Sequence, residues 1–269
     1  EGPIALYNLA RNTRLDEVHG RMIIVPAMNY PAFCEGTRIS PIDRLNMNRI
    51  FPGKAKGSVT AIIADYFSQT LLPMADYVLD IHSGGKTLDF LPFAACHELQ
   101  DKQLEAKCTA AMQAFGAPWQ LKMLEIDAAG MYDTQAESMG KVFVTTELGG
   151  GGSTSTQTNN IARRGVKNFL IHAGILKGEI HIPAIQPVNL DMPDDRCFLY
   201  SEHRGLLEPL VNLGDAVNKG DLIARIHDTD DMSRPTHNYV APRDGIVISR
   251  HYPSLVKMGD CLNVIGVVV

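Results

Sequence analysis

"YVLDIHSGG", residues 77–85, is an apolar run that ends on a histidine and then breaks into serine and two glycines. Short stretches rich in apolar and β-branched residues and closed by turn formers read as strands buried on both faces. Three more stretches share this texture: 21–27 ("RMIIVPA"), 88–95 ("LDFLPFAA") and 141–147 ("KVFVTTE"). Helical spacing fills the intervals. Over 59–72, residues Ile62, Ile63, Tyr66, Phe67 and Leu71 share one face, and 99–115 and 161–176 repeat the pattern. "ALYNLARN", after a proline where a first helical turn tolerates one, opens an amphipathic helix. Such alternation predicts an α/β fold with a mainly parallel or mixed sheet flanked by helices.

The texture changes near residue 185. Segments shorten, helical periodicity disappears, and Gly, Asp and Pro punctuate the chain every 8–12 residues, which predicts a small all-β domain. A weak repeat runs through it: "GLLEPLVNLGDAVNKGDLIARI" from Gly205 and "GIVISRHYPSLVKMGDCLNVIG" from Gly245. The two halves resemble a pseudo-symmetric biotinyl/lipoyl-type barrel. No lysine occurs in 237–245, where a carrier would attach its cofactor, so a structural role is expected. The expected organisation is a catalytic domain over 1–184 and a C-terminal β domain over 185–269.

Composition excludes several classes. The chain has 269 residues, 45% hydrophobic, with a net charge of −5 and no basic patch, which argues against nucleic acid. No apolar run approaches the roughly 20 residues that span a bilayer, so no membrane partner is expected, and the first residues do not read as a signal peptide. Five scattered cysteines without a C-x-x-C predict reduced thiols and a cytoplasmic protein. The chain starts at Glu1 without methionine and runs straight into a helix, so a preceding segment is expected. Oligomeric state stays open, a homo-oligomer being one option.

In open α/β sheets ligands bind beyond the carboxyl ends of the strands. Three predicted strands end on polar groups there: Asn29, His82 and Glu147. Two readings compete for His82, a core imidazole satisfied by backbone and a metal ligand. Asp80, two residues earlier, leaves the same strand face and is placed to hold one ring nitrogen, as carboxylates do beside metal-bound histidines. Glu147 reads either as a turn-capping carboxylate or as a general base beside a metal. The glycines at 149–152 lack the GK[ST] of a phosphate loop and read as a flexible loop beside a pocket. Residues 36–53, "GTRISPIDRLNMNRIFPG", concentrate Arg38, Arg44 and Arg49 with two asparagines, either as a solvated loop or as a carboxylate grip.

"NMNRIFPG" (46–53), "DIHSGG" (80–85) and "TELGGGG" (146–152), in this order, resemble the succinylglutamate desuccinylase/aspartoacylase family of zinc hydrolases, related to the zinc carboxypeptidases. Within it, "R-x-S-P" at 38–41 is most similar to the branch that deacetylates N-acetyl-diaminobutyrate in ectoine degradation. The resemblance implies a zinc-dependent deacylase acting on linear amides of small N-acylated amino acids, not on peptide bonds. It implies that His82 is one zinc ligand, with Asp80 behind it, and that Glu147 is the base. Arg38 would stabilise the oxyanion, and Asn48 and Arg49 would grip a substrate carboxylate. The family takes its other two ligands from an H-x-x-E motif. Neither His19 nor His97 has that spacing, so those ligands are expected upstream of Glu1. The alternatives are a zinc carboxypeptidase acting on peptides and a non-catalytic binding module with a degenerate site.

Overall fold

A computed structural model describes residues 1–123 and 128–269. The first part of the chain carries α1 (Gly2–Asn12), α2 (Tyr30–Glu35), α3 (Val59–Tyr66), β1 (Tyr77–His82), β2 (Leu88–Phe90), β3 (Phe93–His97), α4 (Lys102–Phe115), β4 (Trp119–Met123), α5 (Tyr132–Ser138), β5 (Val142–Glu147) and α6 (Thr156–His172). The second part is almost entirely strand: β6 (Val188–Asp191), β7 (Phe198–Tyr200), β8 (Gly205–Pro209), β9 (Ala216–Val217), β10 (Leu222–His227), β11 (His237–Val240), β12 (Gly245–His251), β13 (Leu255–Val256) and β14 (Cys261–Val268).

The expected mixed α/β sheet forms. β1 pairs with β5, β3 with β4 and β4 with β6 in parallel, while β3 runs antiparallel to β5. Its strands are nearly continuous apolar runs because helices cover them; β3 is buried at every position. The helices are stopped by local chemistry. Asp101 caps α4 by accepting from the amides of Gln103 and Leu104, and Gly116 ends it at φ +74°. Ser155 and Thr158 form a reciprocal cap at the start of α6. α4 and α6 meet at Gly165, whose missing side chain makes room for the ring of Phe115, 0% exposed.

The stretch 21–27 departs from expectation. Its side chains alternate between exposed and half-buried, as in a strand, yet it pairs with no strand among the described residues. A strand needs a neighbour for its backbone groups, and alternation specifies only an extended conformation. The stretch 88–95 divides into β2 and β3, and β2 leaves the first part to pair antiparallel with β12. β14 joins β6, so one ten-stranded sheet runs through both halves of the chain. β4 and α5 carried too little periodicity to be foreseen.

The internal repeat is visible in three dimensions. Gly205 and Gly245 open β8 and β12 at φ +152° and +158°, and a Cβ at either would lie 2.1 or 2.3 Å from the carbonyl oxygen of a paired strand. Only glycine fits such approaches. The "GD" turns agree as well: Asp215, Asp221 and Asp260 each accept from the amide three residues earlier, at 2.8, 2.7 and 2.7 Å. The halves fall in different sheets, β8 and β10 in a four-stranded sheet with β11 and β13, and β12 and β14 in the large one. Between them lie Val217, Ile223, Ala241, Val247 and Ile265.

Candidate active site

Parallel pairing of β1 and β5 sets His82 opposite Glu147 and Asp80 opposite Thr145. Residues level on neighbouring strands point to one face, so His82 and Glu147 emerge side by side at the carboxyl edge. Thr146, fully buried, ties the edge together: its hydroxyl donates to the His82 carbonyl at 3.3 Å and lies 3.2 Å from the His82 amide.

Asp80 Oδ2 lies 2.8 Å from His82 Nε2, which leaves Nδ1 as the ring nitrogen available to a ligand. The His82 side chain is 41% exposed, and it lines a cavity of about 960 Å³. The charge of Asp80, above all, raises its pKa to about 9 against the opposing effect of burial. Glu147 is perturbed the other way for a carboxyl, from 4.5 to about 7. Burial is the main cause, and the charges of His82 and Arg38 only partly offset it. Its Oε2 is buried without a hydrogen-bond partner. An orphaned carboxylate oxygen in a cavity wall, poised near neutrality, has the properties of a general base.

The two glycine loops that follow His82 and Glu147 are tied to each other. Gly84 donates to the Gly149 carbonyl at 2.9 Å, and Gly151 donates to Leu88 at 2.9 Å. A Cβ on Gly150, at φ +150°, would stand 2.0 Å from the Leu88 oxygen. This loop, expected to be flexible, is held by backbone pairing. Tyr252, just beyond β12, donates its amide to the Thr87 carbonyl at 2.8 Å and lays its ring within 3.4 Å of where a Gly151 side chain would start.

The arginine-rich loop lines the same cavity. Asn29, expected at a strand end, instead caps α2, accepting from the Ala32 amide at 3.3 Å. Arg38 is exposed on the loop after α2 and lines the cavity. Asn48 accepts the Tyr132 amide on Oδ1 at 2.7 Å, so its NH₂ group is left to donate toward an anion. Arg49 donates to the Asn48 carbonyl. Asp43 staples the loop to the start of α3, accepting from the Thr60 amide and hydroxyl, both at 2.8 Å. Against the opposing effect of burial, the neighbouring Ser58 hydroxyl, these two bonds and the Leu45 amide hold its carboxyl well below the usual range. The cavity thus brings together Asp80, His82, Glu147, Arg38, Asn48 and Arg49. It also contains Asp133, which sequence reasoning missed; Asp133 is 7% exposed, on the first turn of α5.

Among the described residues no group of three His, Cys, Asp or Glu side chains is placed to hold a metal. His82 supplies one imidazole donor, short of the three protein ligands of a catalytic zinc site. The residues present therefore do not complete a zinc centre. All five cysteines are free thiols, and no described helix is long and apolar enough to cross a membrane.

A cavity at the carboxyl edge of a mixed α/β sheet, lined by a buried near-neutral carboxyl, a histidine and two arginines, has the make-up of a hydrolase site. The chain belongs to the succinylglutamate desuccinylase/aspartoacylase family, whose catalytic domain matches residues 1–173. It is 48% identical over all 269 residues to the N-alpha-acetyl-L-2,4-diaminobutyric acid deacetylase of Halomonas elongata, covering 79% of that protein. The product-bound ectoine utilization protein EutE (DoeB) of Ruegeria pomeroyi superimposes with a TM-score of 0.97 at 60% identity, over 99% of this chain and 80% of that one. A succinylglutamate desuccinylase/aspartoacylase from Rhodobacter sphaeroides gives 0.93 at 33% identity, over 100% and 82%. The expected family and fold class are both borne out.

Proposed function

We propose that this protein removes the acetyl group from Nα-acetyl-2,4-diaminobutyrate, releasing acetate and the free diamino acid. The observation that carries the reading is the orphaned, near-neutral carboxyl of Glu147, held level with His82 at the strand edge. The 48% identity to a deacetylase of that compound supplies the substrate. Glu147 takes the proton of the attacking water and returns it to the departing α-amine. Arg38, which lines the same cavity, stabilises the oxygen that gains charge as the carbonyl becomes tetrahedral. Asn48 and Arg49 hold the α-carboxylate, Asn48 through the NH₂ group that its bond to Tyr132 leaves available.

Zinc dependence is part of the proposal, with His82 as this chain's donor and Asp80 orienting its ring. Because the described residues do not complete the site, no step is routed through the ion. We assign the chemistry to residues 1–184 and give residues 185–269 a supporting role. The grip of Tyr252 on the glycine loops supports that division. The free thiols fit a cytoplasmic location.

The deciding experiment measures acetate release from Nα-acetyl-L-2,4-diaminobutyrate, with metal content of the same preparation by mass spectrometry. Turnover is expected; a zinc-replete preparation without turnover would refute the activity. Turnover that survives exhaustive chelation would refute the zinc assignment.

A further inference from the structure

Four acidic residues line the cavity: Asp76 precedes β1, at the opposite end of that strand from His82, and of the other three, Asp80, Glu147 and Asp133, the mechanism uses two. Asp80 is committed to His82 at 2.8 Å, and Glu147 is the base. Asp133 is left over. It is 7% exposed, lines the same cavity, and lies near enough for its charge to act on the His82 ring. One local role is evident, because Oδ1 accepts the Thr134 amide at 2.7 Å at the start of α5. A helix start is satisfied as well by an exposed carboxylate or a hydroxyl, and it does not require a charge buried in a cavity wall.

We infer that Asp133 receives the side-chain ammonium of the substrate and sets the preference for a cationic N-acyl amino acid. The inference rests on the reading of the site as an N-acyl amino acid deacetylase and adds the side-chain class. The proposed substrate carries an α-carboxylate and, three carbons along the chain, an ammonium. An ammonium drawn into a half-closed cavity beside Arg38 and Arg49 needs a carboxylate to replace its water. Position agrees with this. The residue before Asp133 is Tyr132, whose amide is bonded to Asn48 at 2.7 Å. Asp133 therefore adjoins the pair assigned to the α-carboxylate, and one wall offers both the anion grip and the cation grip. A neutral side chain of the same length would leave Asp133 buried without its ion, which penalises the wrong substrate.

The test compares kcat/KM for Nα-acetyl-L-2,4-diaminobutyrate with that for N-acetyl-L-2-aminobutyrate, which lacks the amine, in wild type, Asp133→Asn and Asp133→Glu. Wild type is expected to prefer the cationic substrate by about 10- to 100-fold, the range for one charge-assisted bond. In Asp133→Asn that ratio should collapse toward one, mainly through KM, and Asp133→Glu should restore part of it. A purely structural role would lower both substrates in parallel and leave the ratio unchanged, which overturns the inference. Calorimetry with 2,4-diaminobutyrate against 2-aminobutyrate reads the same preference without turnover. An inactive wild type that still prefers the diamine, and loses that preference in Asp133→Asn, defeats the proposed reaction but not Asp133. An active wild type with no preference defeats Asp133 alone.

Discussion

Replacing Glu147 with glutamine should separate activity from stability. The side chain keeps its shape and loses its charge and its proton chemistry. Burial holds the carboxyl at about 7 in the folded protein, against 4.5 when solvated. Ionising it in the fold therefore costs about 3 kcal/mol more than ionising it in the unfolded chain. The folded state binds this proton more tightly, so the native protein loses stability as pH rises from 4.5 to about 7 and none beyond. Glu147→Gln carries no such charge. With chelator present, it should match wild type at pH 4.5. At pH 8 it should exceed wild type by up to about 3 kcal/mol, or roughly 6–12 °C in Tm for a chain of this size. Deacetylation by the same variant should fall roughly a hundred- to ten-thousand-fold. Calorimetry across pH and an acetate-release assay suffice. A stability gap that does not widen with pH would refute the buried-charge account, and activity within threefold of wild type would refute the base.

Asp80→Asn removes the main cause of the raised His82 pKa, so the ring's titration, followed by NMR in metal-free protein, should fall well below about 9. Because a raised histidine pKa stabilises below its unfolded value of 6.5 and loses that effect as pH rises through about 9, the stability gap to wild type should close over that interval. Gly165→Ala would put a Cβ 2.3 Å from the Phe115 ring, and the overpacking should cost about 1–3 kcal/mol by denaturant unfolding, less up to about 1 kcal/mol from better helix propensity. Asp43→Ala unpins the loop that carries Arg38, Asn48 and Arg49, so KM should rise several-fold, with a loss of about 1–3 kcal/mol in stability.

Much of the candidate site was legible in the chain because its signals are local. His82 and Glu147 end apolar runs that stop on turn formers, and Asp80 stands two residues before His82, so a period of two alone puts that pair on one strand face. The repeat in the β domain was legible for the same reason, since each half encodes its glycine and its Asp turn within a few residues. What pairs with what was not local. The register that sets His82 level with Glu147 joins residues 65 positions apart, β2 finds its partner in β12 far along the chain, and the extended stretch 21–27 finds none among the described residues. Asp133 carried no sequence signal at all, because a single aspartate opening a short helix looks like any helix start. Only the packing of α5 against the Asn48 loop turns it into the wall of a cavity. Backbone conformation and side-chain facing follow from neighbours in sequence, whereas pairing, burial and a perturbed pKa arise from neighbours that only the folded chain brings together.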